Sequence, residues 1–350
     1  MIKLQSILII LLATSWQVSP VNAAPEITPF GSSLLRYENE TQFVNKPVRE
    51  RIRVILNAGV KLKFNDNFTL VGRVSTGVKN KQNIPTLTIK RLTTQPQPDS
   101  DVYFDQVYLK YKNKDWQFAL NRVPWKFAAN TDTFWDRHLN PYTVFSQYNV
   151  SENQSISAAY IKPLDGSNQS VGNMIVGQYQ LRGKVDETSW EFAPWIVDYS
   201  EQNQAQFAVR DTQFDHRSVR VAIAAKYGLW KLDIDYGYAF DIDQAIEQSG
   251  LDSNQNTSGV FQLNYGNLKS EGYWQWHIRY MHVERISVIT EFAQNAIAAA
   301  LTSNFKGWDS RLRYSVSPSI WVGTRLSKVS SFVGDFKNSH RFRIEARLEV

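Results

Sequence analysis

Arginine recurs at every second position in two stretches near opposite ends of this 350-residue chain. Toward the start stand Arg36, then Arg49, Arg51 and Arg53, with Lys61, Lys63 and Arg73 beyond. Toward the end stand Arg311, Arg313, Arg325, Arg341, Arg343 and Arg347. A guanidinium is a permanently charged, planar fork of donors, so a column of them holds carboxylates or phosphates and concentrates anions. A different group lies between them, over residues 123–141. It reads Pro124-Trp125-Lys126-Phe127 and then Asp132-Thr133-Phe134-Trp135-Asp136-Arg137-His138, acids and a base set among large aromatics.

Other chemistry is poorly represented. The five histidines, His138, His216, His277, His282 and His340, show no metal-ligand spacing. No G-x-S-x-G elbow occurs, and no strand pairs Ser with His on its apolar face. The expectation is a protein without metal or cofactor and not an enzyme. Nucleic-acid binding is not expected either, because the basic residues alternate with apolar ones and leave no continuous recognition surface.

That alternation identifies the elements that must carry the arginines. Arg49, Arg51, Arg53, Asn57, Lys61 and Lys63 share one parity; Ile52, Val54, Leu56, Ala58, Val60 and Leu62 share the other. In a strand, successive side chains point to opposite faces, so this segment has a charged face and an apolar one. Trp230 to Phe240 and Arg341 to Val350 repeat the pattern. Many such segments run to ~9–12 residues, the length a tilted strand needs to cross a bilayer, and longer than the ~5–6 usual in soluble sheets.

Sixteen candidate strands follow, near 27–38, 48–64, 68–79, 102–112, 116–122, 142–150, 154–162, 173–184, 189–200, 216–227, 230–241, 259–266, 272–284, 305–316, 319–330 and 340–350. Their connections alternate long and short throughout. Transmembrane barrels have long outer loops and tight periplasmic turns. The sequence therefore predicts an all-β, up-and-down antiparallel transmembrane barrel of about sixteen strands, with both termini on the short-turn side. Its 11 Trp, 16 Tyr and 19 Phe suit interfacial aromatic belts, and the net charge of +6 decides nothing by itself.

Barrels of this size enclose an aqueous lumen, so the polar parity lines it. Closure makes the first and last strands neighbours and merges the two arginine groups into one basic wall of Arg36, Arg49, Arg51, Arg53, Arg73, Arg311, Arg313, Arg325, Arg341, Arg343 and Arg347. Asp309, Glu345 and Glu349 lie on it, either as ion-pair partners or as partial neutralisers of a lane for anions. An outer loop seldom carries four large aromatics unless they are buried. The third loop is accordingly expected to fold inward and narrow the pore, with Trp125, Lys126, Asp132, Trp135, Asp136 and Arg137 as constriction residues. Residues 291–303 are Ala-rich and are read as a loop packed on itself, with a short helix as the alternative.

Several of these segments also resemble a known family. They are Phe30-Gly31-Ser32 to Arg36-Tyr37-Glu38, Arg49 to Val60, Gly72-Arg73 to Gly77, Phe104 to Leu109, and Asn121-Arg122-Val123-Pro124-Trp125 to Trp135-Asp136. Over residues 27–145 they resemble a bacterial family of outer-membrane porins akin to the phosphate-selective type. The resemblance implies a passive channel for small hydrophilic solutes with a preference for anions. It lacks the long Lys-rich loop expected of a dedicated phosphate channel. A plugged or adhesive barrel with a structural or surface-binding role is the alternative. The partners implied are outer-membrane lipids, the barrel-assembly machinery and the solutes themselves. Trimers are usual for sixteen-strand porins, so a homotrimer is considered, although nothing in the sequence marks a lipid-free interface.

Finally, Lys3, the apolar run Ile7 to Ala13, and Val21 and Ala23 before a cleavage position read as a signal peptide over 1–23. Residues 24–350 are then the barrel, in the outer membrane of a Gram-negative bacterium. With no Cys, a lipidated N-terminus and a disulfide scaffold are both excluded.

Overall fold

A computed structural model describes residues 24–41, 48–78, 84–93, 100–129, 131–163, 172–200, 215–249, 254–289, 292–294, 297, 302–333 and 338–350. The expected signal peptide lies outside them. The strands are β1 (Glu26–Glu40), β2 (Arg49–Lys63), β3 (Phe68–Gly77), β4 (Leu87–Arg91), β5 (Asp101–Lys112), β6 (Trp116–Arg122), β7 (Tyr142–Ser151), β8 (Gln154–Lys162) and β9 (Asn173–Val185). They continue with β10 (Thr188–Ser200), β11 (His216–Tyr227), β12 (Trp230–Phe240), β13 (Thr257–Gly266), β14 (Trp274–Val283), β15 (Phe305–Ser317), β16 (Ile320–Ser331) and β17 (Ser339–Glu349).

Sixteen of these form a closed antiparallel barrel, with β1 hydrogen-bonded to β2 on one edge and to β17 on the other. They coincide with the sixteen expected strands to within a few residues. The extra strand, β4, belongs to the second long connection and pairs with the outer part of β2, Arg51↔Arg91 to Val54↔Leu87. Five residues of mixed polarity between Pro85 and the Pro96–Pro98 stretch gave no alternation long enough to announce it.

The short turns follow from Asx chemistry. The Asn65 side-chain oxygen accepts from the N–H groups of Asn67 and Phe68, both at 2.9 Å. Asn113 does the same for Asp115 at 3.0 Å and Trp116 at 2.7 Å. Each closes a hairpin whose flanking strands keep their parity.

The exterior is the apolar parity: Leu35, Leu56, Leu120, Ile196, Phe261 and Ile344 are exposed. Just above the short turns, aromatic rings pair across neighbouring strands. Trp116–Tyr148, Trp230–Tyr265 and Trp274–Tyr314 each have centroids 4.7 Å apart, and Phe68–Tyr111 are at 4.9 Å. Such rings belong at a membrane interface.

The buried core lies inside the lumen. Trp195, Val197 and Tyr199 of β10, Val260 of β13 and Met281 of β14 face inward and are covered by the third and seventh long connections. These bring Trp125, Phe127, Phe134 and Trp135, together with Ile289, Phe292 and Ile297, into one cluster. Most of 291–303 lies outside the described residues. A helix, α1 (Asp243–Ser249), occurs in the sixth long connection, where Ala245 packs with Ala239, Ile242 and Ile286. Only two of its side chains, Ala245 and Ile246, are apolar, too few for a periodic signal.

Inside and outside carry different costs for a charge. Phe261→Lys puts an ammonium on the exterior near mid-strand and is expected to lower barrel stability in lipid by about 2–4 kcal/mol. Gln262→Lys, one residue on and facing Asp233 in the lumen, should cost under about 1 kcal/mol. Urea titration of refolding in vesicles measures both, and equal losses would show that parity has been misassigned.

Candidate functional site

Cross-strand register stacks the inward residues of β15, β16, β17, β1 and β2 into rows. From the outer end, the first row is Asp309–Ser327–Arg341–Glu40–Arg49 and is charge-balanced. The second, Arg311–Arg325–Arg343–Glu38–Arg51, sets four arginines against one glutamate. The third, Arg313–Gly323–Glu345–Arg36–Arg53, sets three against one. The fourth, Ser315–Trp321–Arg347–Leu34–Ile55, is mainly apolar. Rows two residues apart along a strand are separated by ~6.6 Å, so the positive excess is confined to a short band.

Four buried carboxylates hold the array together. Glu38 accepts from Arg51 Nε at 2.6 Å and Arg343 Nε at 2.7 Å, with Arg53 3.6 Å away. Glu40 accepts from Arg49 Nε at 3.0 Å and also from Arg341. Glu345 accepts from Arg36 on one oxygen and Arg311 on the other, each at 2.7 Å. Asp309 accepts from Arg325 at 2.8 Å and Arg279 at 3.0 Å. Glu38 and Glu40 were missed in the sequence, although Arg36-x-Glu38-x-Glu40 sits on one parity and carries the signal.

Opposite the wall stands the third long connection, residues 123–141. Its aromatics face away from the open lumen. Phe127 stacks on Trp195 with centroids 3.6 Å apart, Phe134 meets Trp195 edge-on at 5.4 Å, and Trp135 Nε1 donates to the Trp125 carbonyl at 3.2 Å. The segment is tied down as well. Thr131 donates to Asp235 at 2.6 Å, and its carbonyl accepts from Arg279 at 3.2 Å. Gln294 N–H donates to the Asp132 carbonyl at 3.1 Å, and Asp136 N–H to the Phe292 carbonyl at 2.8 Å. Asp132 is held at φ +66°, a left-handed conformation that an L-residue adopts only at some cost.

Between wall and loop lies a pocket of about 190 Å³, partly open to solvent. Ten arginines and two aspartates line it. They comprise Arg36, Arg49, Arg51, Arg53, Arg311, Arg325, Arg341, Arg343 and Arg347 from the wall, with Arg137, Asp132 and Asp136 from the loop. Arg73 and Arg313 are not part of the lining. Arg73 is bound to Asp105 at 3.0 Å, and the Arg313 guanidinium lies 5.3 Å from the Trp321 ring centroid. Trp125 and Trp135 are buried in the packed half, and Lys126 is exposed away from the pocket.

Arg137 pairs with Asp132, whose charge holds the guanidinium above its ordinary pKa. His138 also lines the pocket. Burial and the guanidiniums of Arg137, Arg36, Arg73 and Arg347 hold its pKa well below the usual imidazole value. Among the described residues no cluster of side chains suits a metal ion.

No family model matches the chain, and no curated protein matches it by sequence. Solved structures do match by shape. The chain is similar to OprB of Pseudomonas putida, with a TM-score of 0.61 at 9% identity, over 93% of this chain and 94% of that one. It is similar to OmpF of Salmonella typhi, solved in complex with daunomycin, with a TM-score of 0.60 at 11% identity, over 93% and 98%. A triple mutant of the Rhodopseudomonas blastica porin gives a TM-score of 0.52 at 9% identity, over 93% and 100%. At such identities the likeness defines the fold: this is a barrel with the architecture of outer-membrane porins.

The loop's seat has one node. Arg220 of β11 is fully buried, donates to Asp235 at 2.7 Å and Ser258 at 2.8 Å, and lies 5.1 Å from the Phe134 ring centroid. Arg220→Met strands Asp235 in a buried position and is expected to cost about 3–5 kcal/mol. Limited proteolysis should then cut within 123–141 at protease levels that spare the unmodified barrel, and an unchanged digestion pattern would remove Arg220 from this role.

Proposed function

We propose that this protein is an outer-membrane porin, a passive diffusion channel for small hydrophilic solutes with a preference for anions. The observation that supports the proposal is the lining of that pocket, whose ten arginines outnumber its two aspartates and, with them, the four carboxylates packed behind. A low-dielectric wall bearing one excess sign focuses its field into the conduit and raises the local concentration of the opposite ion. Solutes move down their gradient past the second and third rows, with Asp132, Asp136 and Arg137 across from them setting the width. Arg53, whose contact with Glu38 is a long 3.6 Å, and Arg347, whose side chain is about one-third exposed beside Glu349, both line the pocket, and we assign them to the anion lane. The reading includes export behind residues 1–23, insertion by the barrel-assembly machinery and an outer-membrane location.

The second reading, a plugged barrel with a structural or adhesive role, is favoured by the apolar cluster that fills the other half of the lumen. Conductance separates the two. The refolded barrel in a planar bilayer should carry steady current, and in a KCl gradient its reversal potential should move toward that of chloride. Arg53→Gln combined with Arg347→Gln should lower the chloride-to-potassium permeability ratio several-fold. Cation selectivity would sink the anion lane, and a silent folded barrel would favour the plug.

The depressed pKa of His138 adds a pH prediction with a definite sign. The ring is neutral through the neutral range, and protonation, which would add positive charge and strengthen anion preference, is deferred to more acid pH. Selectivity should therefore stay flat as pH falls through about 6.5, the ordinary imidazole value. A rise in chloride preference with its midpoint there would show that His138 is hydrated like a free side chain.

A further inference from the structure

The lipid-facing parity of β14 to β17 changes character at its outer end. Over most of its height it is apolar, with Leu326, Phe342 and Ile344 exposed to the membrane. Further out it becomes basic. Register places His282 beside Lys306, and Lys328 between Trp308 and His340. Lys306, Lys328 and His340 are exposed, and the His282 side chain is 40% exposed. With strands ~4.8 Å apart, the four side chains fall within a span of ~15 Å. Between Lys306 and Tyr314, which belongs to the ring pairs above the short turns, β15 runs ~27 Å. At a strand tilt of ~35–45° this crosses ~20 Å of bilayer, which puts the basic group at the outer margin of the ~25 Å apolar band.

The group is positioned, and its lysines have no counter-charge. The Lys306 ammonium lies 5.6 Å from the Phe332 ring centroid and the His282 ring 4.6 Å from the same ring, so Phe332 orients both. Glu284 approaches His282 at 3.3 Å, while its other oxygen accepts from the Thr257 N–H at 2.7 Å and hydroxyl at 2.9 Å. Among the described residues neither Lys306 nor Lys328 pairs with a carboxylate. The far side of the rim is built differently. Arg217, on the lipid-facing parity of β11, is bound by Asp198 at 3.2 Å and Asp241 at 3.0 Å. Beside and just below the lysines stand Trp308 and Leu326, 53% and 54% exposed. A lysine at this height lays its stem on apolar surface and reaches for headgroups. Here two of them converge above one strip of lipid-facing hydrocarbon.

We infer that Lys306, Lys328 and His340, with His282 and Phe332 beside them, form a binding site for the phosphate of a membrane lipid whose headgroup carries no compensating cation. The two ammonium groups supply the charge, His340 supplies a further hydrogen bond, and an acyl chain lies along Trp308 and Leu326. The site needs the barrel to stand in lipid, and it is independent of conduction.

The test is site-resolved labelling of the refolded barrel in mixed micelles containing either dioleoyl phosphatidylcholine or dioleoyl phosphatidic acid. A pulse of an acetylating reagent modifies lysine amines, and peptide mass spectrometry reads the rate at each one. Lys162 is the internal control, an exposed lysine on the lipid-facing parity at the outer end of β8. Phosphatidic acid should slow Lys306 and Lys328 by about fivefold relative to phosphatidylcholine and leave Lys162 close to its phosphatidylcholine rate. Lys306→Gln should restore most of the labelling rate of Lys328, because the two share one ligand, and Lys328→Gln should do the same for Lys306. Equal slowing of all three lysines, or no slowing of Lys306 and Lys328, overturns the inference. So does full protection of either lysine when the other has been replaced. The contrast with Lys162 in the unmodified barrel decides the matter even if a variant does not refold. A barrel that protects Lys306 and Lys328 selectively but carries no current keeps the lipid site and loses the channel reading.

Discussion

β1 is hydrogen-bonded along both edges, to β2 from Glu26 to Glu40 and to β17 from Ser32 to Glu40, and the rest of the molecule depends on that closure. In hydrocarbon an unpaired backbone group costs several kcal/mol, so a sheet can sit there only if it has no edge. Closure fixes which parity is inside, because one side of a closed sheet meets the membrane and the other meets the lumen. It also brings together residues about three hundred positions apart, so that Arg36 reaches Glu345 and Glu38 reaches Arg343. The basic wall is a property of the ring and exists on neither half of the chain alone.

An array of this density has to survive its own repulsion. Two unit charges ~5 Å apart repel by about 3 kcal/mol at an effective dielectric of 20. The wall answers by placing Glu38, Glu40, Glu345 and Asp309 at nodes where each touches two or more guanidiniums. The acids are therefore structural, the nodes that hold the arginines in place. Neutrality is reached at the outer row and not at the second and third, whose arginines line one pocket with Asp132, Asp136 and Arg137.

Parity makes much of this readable from the sequence. Sustained alternation gave strand positions, and alternate long and short links gave the up-and-down order, because both come from backbone geometry that local sequence controls. Features without periodicity were not readable in this way. β4 takes its pairing from β2 and not from its own pattern. α1 is too short to show a stripe. Arg220, Asp235 and Arg279 have no pattern that sets them apart from other lumen-facing charges, yet they anchor a loop far away in sequence. Leu34 and Ile55 interrupt a charged parity without any pattern of their own. Apolar residues on the polar face of a barrel strand are informative for the same reason that polar residues in a soluble core are.

The third long connection shows how one segment serves two surfaces. Its aromatics are committed to the packed half of the lumen, stacked on Trp195 and Phe292, while Asp132, Asp136, Arg137 and His138 face the open half. Because the aromatic side is cemented by burial, and the segment is tied by the Thr131 hydroxyl to Asp235 and by backbone carbonyls to Arg279 and Gln294, the charged side is held at a fixed distance from the wall. The left-handed Asp132 fits the same view, since such a conformation persists only where surrounding contacts over-determine it. The pocket is thus off-centre by construction. Its width is set by how much of the barrel the apolar cluster fills, and its chemistry by the strands that cluster leaves bare.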